Sequence, residues 1–522
     1  MSAPRRPWLC LIAFCLLLWL PGFFTIPATD REESRIAQTS RQMLAVGNVP
    51  SGDKRLPPAI HWLQAAAVAT TTAIGLAHEN PIWPYRIPSA LGALGAVLAL
   101  FGQGRRIAGD GTAWCAAAML AACIPVIVET HLAKADAVLL GGTSLAMLLL
   151  ARAYLDPPAF TARNAAGFWL ALGAAILVKG PAGPAIAALS IAALLIADRR
   201  GGWLLRLRPA WGIPLALLTA APWLIAVRAG LPVSIVTEAG QHWGPPGLYL
   251  LISPALLFPA TIPVLLAARG LWAERTQPLT RFLLAWIIPA WIMFEAFPTK
   301  LPHYVLPLLP AIFLLAARWL CRTEIPPVSP HWRRFAIAVG MAVAGLLGLA
   351  GLALPFLLGT GYWRAIPPVL AALVMLWRAR TAFHDDGRRA MRRMILAMPL
   401  LTWAALELLL PAMRPLWIST QVVAALAAEG RPAGRFATAG FHEPSLVFLA
   451  GADTLSLKPN AVEANAAFLD AAPDRTILIA AAQCDAFLRA AAAIGLTPRP
   501  IAEVAGFNYA AGHWESLTLF AR

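Results

Sequence analysis

The chain has 522 residues, of which 59% are hydrophobic and 13% are charged. A soluble domain normally carries about 25% charged residues, so this composition excludes an ordinary soluble protein and indicates a polytopic membrane protein. The formal net charge is +16, but residues 431–522 hold about as many acidic as basic side chains. The positive excess therefore lies in the apolar part, which argues against a nucleic-acid partner and favours contact with anionic membrane lipids.

The first apolar stretch, residues 8–27, is long enough to cross a bilayer, and the acidic segment Asp30–Arg35 follows it directly. Charges at the mouth of a span are costly unless they face water or each other, so this segment is a candidate site. Asp30 and Glu33 share a helical face, which suits acid–base chemistry or cation binding. The alternative is a solvated helix start, with Asp30 as its cap and Glu33 complementing the helix dipole.

The first outer loop, residues 28–85, is too long for a simple turn. Apolar residues at helical spacing predict an amphipathic surface helix over residues 30–46. Pro57-Pro58 then opens a second apolar stretch, Ala59–Ala77, which is predicted as a surface or re-entrant helix.

Apolar stretches predict about thirteen membrane spans along the chain. They cover roughly residues 8–27, 86–103, 111–128, 136–153, 165–178, 181–197, 210–227, 249–268, 282–297, 302–319, 335–357, 365–378 and 394–411. With the N-terminus inside, nearly every arginine cluster falls on the inner side, as the positive-inside rule requires. An odd number of spans then places the C-terminus outside. The predicted fold is an all-α polytopic membrane domain, residues 1–411, followed by a small soluble α/β domain, residues 412–522.

The outer loops collect a set of side chains that could act on a phosphate-linked substrate. Besides Asp30 and Glu33, the set contains Arg55, His61, Lys134, Asp136, Lys179, His242, Lys300, His303 and Tyr304, and Glu129 is a further acid of these loops. Each has a structural alternative: Asp136 could cap a helix, Lys179 could extend its ammonium to the interface, and His242 could serve loop structure. Together they predict carboxylates and cations around one cavity at the membrane surface, where a carboxylate activates an acceptor and cations stabilise a departing phosphate.

The C-terminal domain is predicted to contain strands at Arg435–Phe441, Ser445–Ala450, Thr476–Ala482 and Trp514–Ala521. Helices are predicted at Ala461–Ala471 and Cys484–Ile494. No catalytic constellation stands out in this part of the sequence.

Six motifs, in order over residues 1–320, resemble the GT-C glycosyltransferases of the lipid A aminoarabinose transferase and protein O-mannosyltransferase superfamily. They are Asp30-Arg31-Glu32-Glu33-Ser34-Arg35, Leu56-Pro57-Pro58-Ala59-Ile60-His61-Trp62, Ala135-Asp136-Ala137, Lys179-Gly180-Pro181, His242-Trp243-Gly244-Pro245-Pro246-Gly247 and Lys300-Leu301-Pro302-His303-Tyr304-Val305-Leu306-Pro307. The sequence departs from the family at Leu56, where the family usually has lysine before Pro-Pro; Lys54 or Arg55 could substitute from a shifted position.

The resemblance implies Asp30 as the leading catalytic carboxylate, with Glu33 and Asp136 nearby. The motif leaves open whether Asp30, Glu32 or Glu33 aligns with the key acid. The resemblance also implies that Lys179, His242, Lys300 and His303 line the donor or phosphate site, and we count Arg55, His61, Lys134 and Tyr304 as further candidate binding residues.

The leading hypothesis is an inverting glycosyltransferase of the bacterial inner membrane, with a cytoplasmic N-terminus and a periplasmic C-terminus. It would move a sugar from a polyprenyl-phosphate donor to a lipid A-like or other cell-envelope acceptor. The alternatives are a protein or glycan O-glycosyltransferase of the same fold, a lipid or polysaccharide transporter, and a scaffold for the C-terminal domain. No cofactor is required by this hypothesis; if a divalent cation binds, Asp30 and Glu33 are the expected ligands.

Overall fold

The computed structural model describes residues 4–46, 57–77, 81–228, 243–322, 328–381, 387–431 and 435–522. Within these residues the apolar part of the chain is helical. Its α-helices are α1 (Pro7–Trp19), α2 (Glu32–Val46), α3 (Ala59–Ala73), α4 (Trp83–Ala108), α5 (Asp110–Ala122), α6 (Ile124–Thr130), α7 (Asp136–Leu155), α8 (Ala162–Lys179), α9 (Ala182–Asp198), α10 (Pro209–Arg228), α11 (Leu248–Leu256), α12 (Thr261–Leu271), α13 (Pro278–Ala296), α14 (Leu309–Leu320), α15 (Pro330–Leu357), α16 (Ile366–Thr381) and α17 (Gly387–Thr402). A 3-10 turn, Pro302–Leu308, precedes α14, and a π-helical turn, Trp403–Leu409, follows α17.

Six helices of the described part are long and apolar enough to cross a membrane, and a seventh span results if α5 and α6 are joined. The six are Trp83–Ala108, Asp136–Leu155, Pro278–Ala296, Pro302–Leu320, Pro330–Leu357 and Met391–Ala412. Shorter apolar helices add to them, among them α1, α9 and α12. The chain is thus a multi-pass, mainly helical membrane protein, while the predicted number of about thirteen spans is not confirmed.

Two predicted spans are interrupted in the structure. The predicted helix over residues 111–128 bends by 60° between α5 and α6, where Cys123 is extended and Pro125 stands in the first turn of α6. The predicted helix over residues 249–268 divides into α11 and α12. Pro259 lies in that break, and proline cannot donate the backbone hydrogen bond that a continuous helix needs. At both places the predicted span is therefore a broken helix and not a continuous one.

The two surface helices of the first outer loop form close to the predicted positions, as α2 and α3. A buried side-chain network joins them. Ser40 Oγ on α2 donates to Gln64 Oε1 over 2.6 Å and lies 2.9 Å from His61 Nδ1 on α3. Gln64 Nε2 donates to the carbonyl of Ala133, just before α7, over 3.0 Å. The network fixes both surface helices to the loop that leads into α7.

The C-terminal sheet domain, Ile418–Ala521, contains one five-stranded sheet in the order β2-β1-β3-β5-β4. Its strands are β1 (Phe436–Ala439), β2 (Leu455–Leu457), β3 (Thr476–Ala480), β4 (Arg499–Asn508) and β5 (His513–Ala521), and its helices are α18 (Ile418–Ala428), α19 (Pro444–Ala450), α20 (Val462–Asp470) and α21 (Ala481–Ala493). Strand β1 is parallel to β2 and β3, and β5 is antiparallel to β3 and β4. The predicted strand Ser445–Ala450 is wrong: it is helix α19, with Pro444 at its first position, where proline's fixed φ favours a helix start.

Helix α19 attaches the C-terminal sheet domain to the membrane domain. Its Phe448 is fully buried in an apolar cluster with Ala37 of α2, Val68 of α3 and Tyr85 of α4. The rings of Tyr85 and Phe448 meet edge to face, with centroids 5.4 Å apart. The domain therefore contacts the segment that carries the acidic motif.

Candidate functional site

Six charged or titratable side chains meet at one end of the helical domain, and we call them the charged cluster. They come from the start of α2, the end of α6, the loop before α7, the start of α7, the end of α8 and the 3-10 turn before α14. The cluster consists of Glu32, Glu129, Lys134, Asp136, Lys179 and His303.

Lys134 is at the centre of the charged cluster. Its Nζ lies 2.9 Å from Glu32 Oε2, 3.9 Å from Glu129 Oε1 and 3.8 Å from Asp136 Oδ2. Its backbone is held by Ser89, whose Oγ donates to the Lys134 carbonyl over 2.9 Å. One buried ammonium group therefore draws three carboxylates from three different segments together.

Asp136 links the second lysine and the histidine to the charged cluster. Lys179 Nζ donates to Asp136 Oδ1 over 2.5 Å, and His303 Nε2 lies 3.7 Å from the same oxygen. His303 Nδ1 lies 3.6 Å from Glu129 Oε1. Asp136 is in the first turn of α7 and Lys179 in the last turn of α8, so each charge also complements the dipole of its own helix.

The electrostatics of the charged cluster keep Glu32 and Lys134 ionised. Burial opposes the charge on Glu32, but the nearby ammonium groups of Lys134 and Lys179 outweigh it and hold the pKa of Glu32 below its usual value. Burial likewise opposes the charge on Lys134, but the carboxylates of Glu129, Asp136 and Glu32 raise its pKa. Both groups therefore carry their charges at neutral pH.

The members of the charged cluster differ in their exposure. Glu32 and Lys179 keep 31% and 22% of their side-chain surfaces exposed, whereas Glu129 and Asp136 are buried. Two carboxylate oxygens of the buried pair, Glu129 Oε2 and Asp136 Oδ2, have no hydrogen-bond partner among the residues that the structure describes. Glu32 and Lys179 are therefore the members of the cluster that are most accessible to a substrate.

Three members of the charged cluster could hold a cation. One ligand atom each from Glu129, Asp136 and His303 lies within 4.8 Å of the others. A mixed set of carboxylate oxygens and an imidazole nitrogen suits a borderline divalent cation such as Zn²⁺. The pair expected from the sequence, Asp30 and Glu33, does not form this group in the described part of the chain, because each of those carboxylates is bound elsewhere.

Glu33 forms a buried ion pair with Arg86. Arg86 Nε and Nη2 lie 2.8 and 3.2 Å from its two carboxylate oxygens. Thr29 donates to Glu33 from both its backbone N–H and its hydroxyl, and the Ala133 N–H donates to Glu33 over 2.9 Å. Both carboxylate oxygens of Glu33 are therefore occupied by hydrogen bonds within the protein. The arrangement favours a structural role for Glu33, while its catalytic role stays a prediction from the resemblance.

Asp30 lies at the contact with the C-terminal sheet domain. Its carboxylate accepts a hydrogen bond from the Ser445 hydroxyl, and its N–H donates to the Tyr509 hydroxyl over 2.8 Å. Burial, with a smaller repulsion from Glu443, raises the pKa of Asp30 to about 6. The structure therefore binds the predicted leading carboxylate to the sheet domain and places Glu32 in the charged cluster.

The raised pKa of Asp30 predicts a pH-dependent stability. A carboxyl group whose pKa is higher in the folded state than in the unfolded state destabilises the protein once it ionises. For Asp30 this loss in the free energy of unfolding is absent near pH 4, grows through pH 6 and is complete above pH 7. We expect Asp30→Asn to gain stability relative to the wild type over this interval. Thermal unfolding of both proteins in detergent from pH 4.5 to 7.5 measures this gain. A difference in unfolding temperature that stays constant over this pH range would contradict the expectation.

The other predicted site residues fall into three groups. His61 is buried in the network between α2 and α3, and Lys300 donates to the backbone carbonyls of Phe294, Glu295 and Phe297 at 2.5–3.0 Å. These three carbonyls bind the ammonium group of Lys300 at the end of α13, while its contact with a donor phosphate stays a prediction from the resemblance. Tyr304 lies beside the charged cluster, with its ring 5.7 Å from Lys179 Nζ. The remaining two, Arg55 and His242, lie outside the described residues.

Two members of the charged cluster were not among the predicted site residues. Glu32 was considered only as an alternative to Asp30 in the motif, and Glu129 was noted only as an outer-loop acid. Glu129 was nevertheless a detectable candidate, because an acid at the end of an apolar helix is costly without a partner. The pairing of Glu32 with Lys134 joins residues about a hundred positions apart, and no local pattern shows it.

The structure resembles the crystal structure of ArnT from Cupriavidus metallidurans in the apo state, with a TM-score of 0.75, 20% identity and coverage of 98% of this chain and 97% of that one. A second structure of that protein, bound to undecaprenyl phosphate, gives a TM-score of 0.75 at 20% identity and covers 99% of this chain and 98% of that one. The fold is therefore that of a GT-C membrane protein.

Sequence comparison confirms the superfamily that the chain resembles. A family model described as dolichyl-phosphate-mannose-protein mannosyltransferase matches residues 55–225. An undecaprenyl phosphate-alpha-4-amino-4-deoxy-L-arabinose arabinosyl transferase of Shewanella sediminis is 27% identical over 343 residues, which are 58% of this chain and 58% of that relative. The match thus spans less than two thirds of the curated relative. The resemblance to the aminoarabinose transferase and O-mannosyltransferase superfamily agrees with the motifs.

Proposed function

We propose that this protein is an integral-membrane glycosyltransferase that moves a sugar from a polyprenyl-phosphate donor to a lipid A-like or other cell-envelope acceptor. The observation that carries the proposal is the charged cluster. It places three carboxylates and two ammonium groups at one end of the helical domain, and Glu32 and Lys179 give access to it. The relatives named for transfer from undecaprenyl phosphate support the donor class.

In the proposed reaction an oxygen of the acceptor attacks the anomeric carbon, and the bond between that carbon and the donor phosphate breaks. Glu32 is the most exposed carboxylate of the charged cluster, and it orients the acceptor and takes its proton where the acceptor is a hydroxyl. The ammonium of Lys179 stabilises the departing phosphate, because a charge-assisted donor strengthens as negative charge develops. Asp136 holds that ammonium in place. Attack opposite to the departing phosphate inverts the anomeric centre.

The proposed orientation puts the N-terminus in the cytoplasm and the charged cluster and C-terminal sheet domain in the periplasm, in a bacterial inner membrane. The distribution of arginine supports this orientation. The ends of α4 and α7 that point away from the charged cluster carry Arg105, Arg106 and Arg152.

A second acceptor class follows from the family model, whose description names a protein mannosyltransferase. The same charged cluster would serve a protein hydroxyl acceptor, since activation of a hydroxyl needs the same carboxylate.

The experiment is a transfer assay with purified protein in lipid. Labelled undecaprenyl-phosphate sugars are supplied together with lipid A, a membrane glycan fraction and a Ser/Thr-rich peptide, and mass spectrometry follows each product. We expect one donor to be consumed and its sugar to appear on the lipid acceptor. If the sugar appears on the peptide, the acceptor is a protein and not a lipid. If no donor is consumed, the proposal is contradicted.

A further inference from the structure

We infer that the C-terminal sheet domain positions Glu32 for the transfer reaction, through contacts of Ser445, Tyr509 and Ala510 with the turn Asp30–Arg31. The inference rests on the proposed function for its catalytic meaning. Its structural content, that the sheet domain holds this turn, can be tested without any activity.

The contacts come from two separate parts of the sheet domain. Ser445 is in the first turn of α19, and it bonds the carboxylate of Asp30. Tyr509 and Ala510 follow β4, in the turn to β5. The Tyr509 hydroxyl accepts from the Asp30 N–H over 2.8 Å, and the Ala510 carbonyl accepts from the Arg31 guanidinium. The turn that precedes Glu32 is thus bound on both its residues.

The turn from β4 to β5 is itself well ordered by Asn508. The Asn508 Oδ1 accepts from the N–H groups of Ala510 and Ala511 at 3.1 and 3.0 Å. Its Nδ2 donates to Glu443 and Glu515 at 3.0 and 2.9 Å. Asn508 is buried, with 4% of its surface exposed. The sheet domain therefore presents Tyr509 and Ala510 from a turn that is formed by its own contacts.

The backbone conformation of Arg31 explains why the turn depends on contacts from the sheet domain. Its φ is +61°, in the left-handed region that is unfavourable for a residue other than glycine. Such a conformation persists where neighbouring contacts determine it. The sheet domain holds Asp30 and Arg31 on one side, and the ion pair of Glu33 with Arg86 holds the chain on the other. Glu32 lies between these two attachments, so its carboxylate is directed at Lys134.

The apolar contact of the same helix adds to this arrangement. Phe448, one turn after Ser445 in α19, is buried between α2, α3 and α4, and the Arg41 guanidinium lies 4.9 Å from its ring centroid. Phe448 attaches the sheet domain, whereas Ser445 and Tyr509 act on the turn before Glu32. Loss of the two hydroxyls should therefore release the turn and leave the domain attached.

The test uses Tyr509→Phe and the double variant Ser445→Ala/Tyr509→Phe in the full-length protein. Tyr509 keeps 39% of its surface exposed, so its loss of a hydroxyl is not expected to unfold the domain. The matched control is Tyr154→Phe, which removes a hydroxyl that donates to Asp198. Tyr154 lies at the end of α7 that is opposite to the charged cluster, and the length of the helix places it about 30 Å from Asp136. Hydrogen–deuterium exchange of residues 29–35 and the steady-state constants for the donor are measured.

In the double variant we expect the backbone amides of residues 29–35 to exchange at least tenfold faster than in the wild type. We also expect kcat to fall about tenfold while KM for the donor stays unchanged, because displacement of a reacting group lowers the rate more than it lowers binding. The control should change neither quantity. Exchange at the wild-type rate in the double variant would overturn the inference. Faster exchange with an unchanged kcat would overturn its catalytic part. A wild type without transfer activity would contradict the proposed function, and the exchange result would still decide whether the sheet domain holds the turn.

Discussion

Replacing Glu32 with glutamine is expected to lower kcat by about 10²–10⁴-fold, the range that a positioned acid–base group contributes. Glutamine keeps the size of the side chain but can neither take a proton nor pair with Lys134, whose Nζ lies 2.9 Å from the carboxylate. Lys134 retains Glu129 and Asp136 as partners, so the protein should still fold. Steady-state kinetics with a labelled donor measures the effect.

Two variants serve as controls for Glu32→Gln. Glu463→Gln makes the same chemical change on an exposed helix of the sheet domain and should behave as the wild type. Asp30→Asn should lose less than about tenfold, because Asp30 acts on the turn and not on the substrate. If Asp30→Asn abolished transfer and Glu32→Gln did not, the leading role would return to Asp30, as the resemblance first implied.

Replacing Glu33 with glutamine is expected to destabilise the protein by about 3–5 kcal/mol, the usual cost of removing one partner of a buried ion pair. Arg86 is fully buried, and its remaining partners are the neutral carbonyls of Phe23, Ile26 and Pro27. The uncompensated guanidinium would then loosen the loop before α2. Thermal unfolding in detergent measures the change.

The double variant Glu33→Gln/Arg86→Met tests the cause of that loss. It removes both charges, and we expect it to recover part of the stability, because a buried pair replaced as a unit costs less than a broken one. A single variant as stable as the wild type would show that Glu33 is not a structural anchor and would restore it as a catalytic candidate.

The sequence predicted the features that depend on local pattern. Hydropathy and low charge predicted a multi-pass helical domain, and helical spacing predicted α2 and α3 close to their positions in the structure. Proline explains the two broken helices within predicted spans: Pro125 and Pro259 interrupt apolar stretches that hydropathy joins. In the sheet domain, Ser445–Ala450 has an apolar strand-like composition, but it forms a helix whose Phe448 packs into the membrane domain.

The sequence predicted which types of residue form the candidate site, but it did not predict which of their side chains pair with each other. Asp136, Lys134, Lys179 and His303 were expected near a common cavity, and the structure brings them together. Lys300 looked equivalent to Lys179, because each lysine stands beside a proline at the end of an apolar helix. The structure separates them: Lys300 caps the carbonyls at the end of α13, while Lys179 binds a carboxylate. That difference depends on which helices pack together, and no single motif records it.

The most direct test of the account is the release of polyprenyl phosphate from a labelled polyprenyl-phosphate sugar by purified wild type, Asp136→Asn and Asp110→Asn. Asp136 holds Lys179 within the charged cluster, whereas Asp110 pairs with Arg105 at an exposed site near the opposite end of α4. We predict that the wild type and Asp110→Asn release the phosphate at similar rates and that Asp136→Asn is slower by about 10²-fold or more. Equal rates for Asp136→Asn and the wild type would contradict the assignment of transfer to the charged cluster.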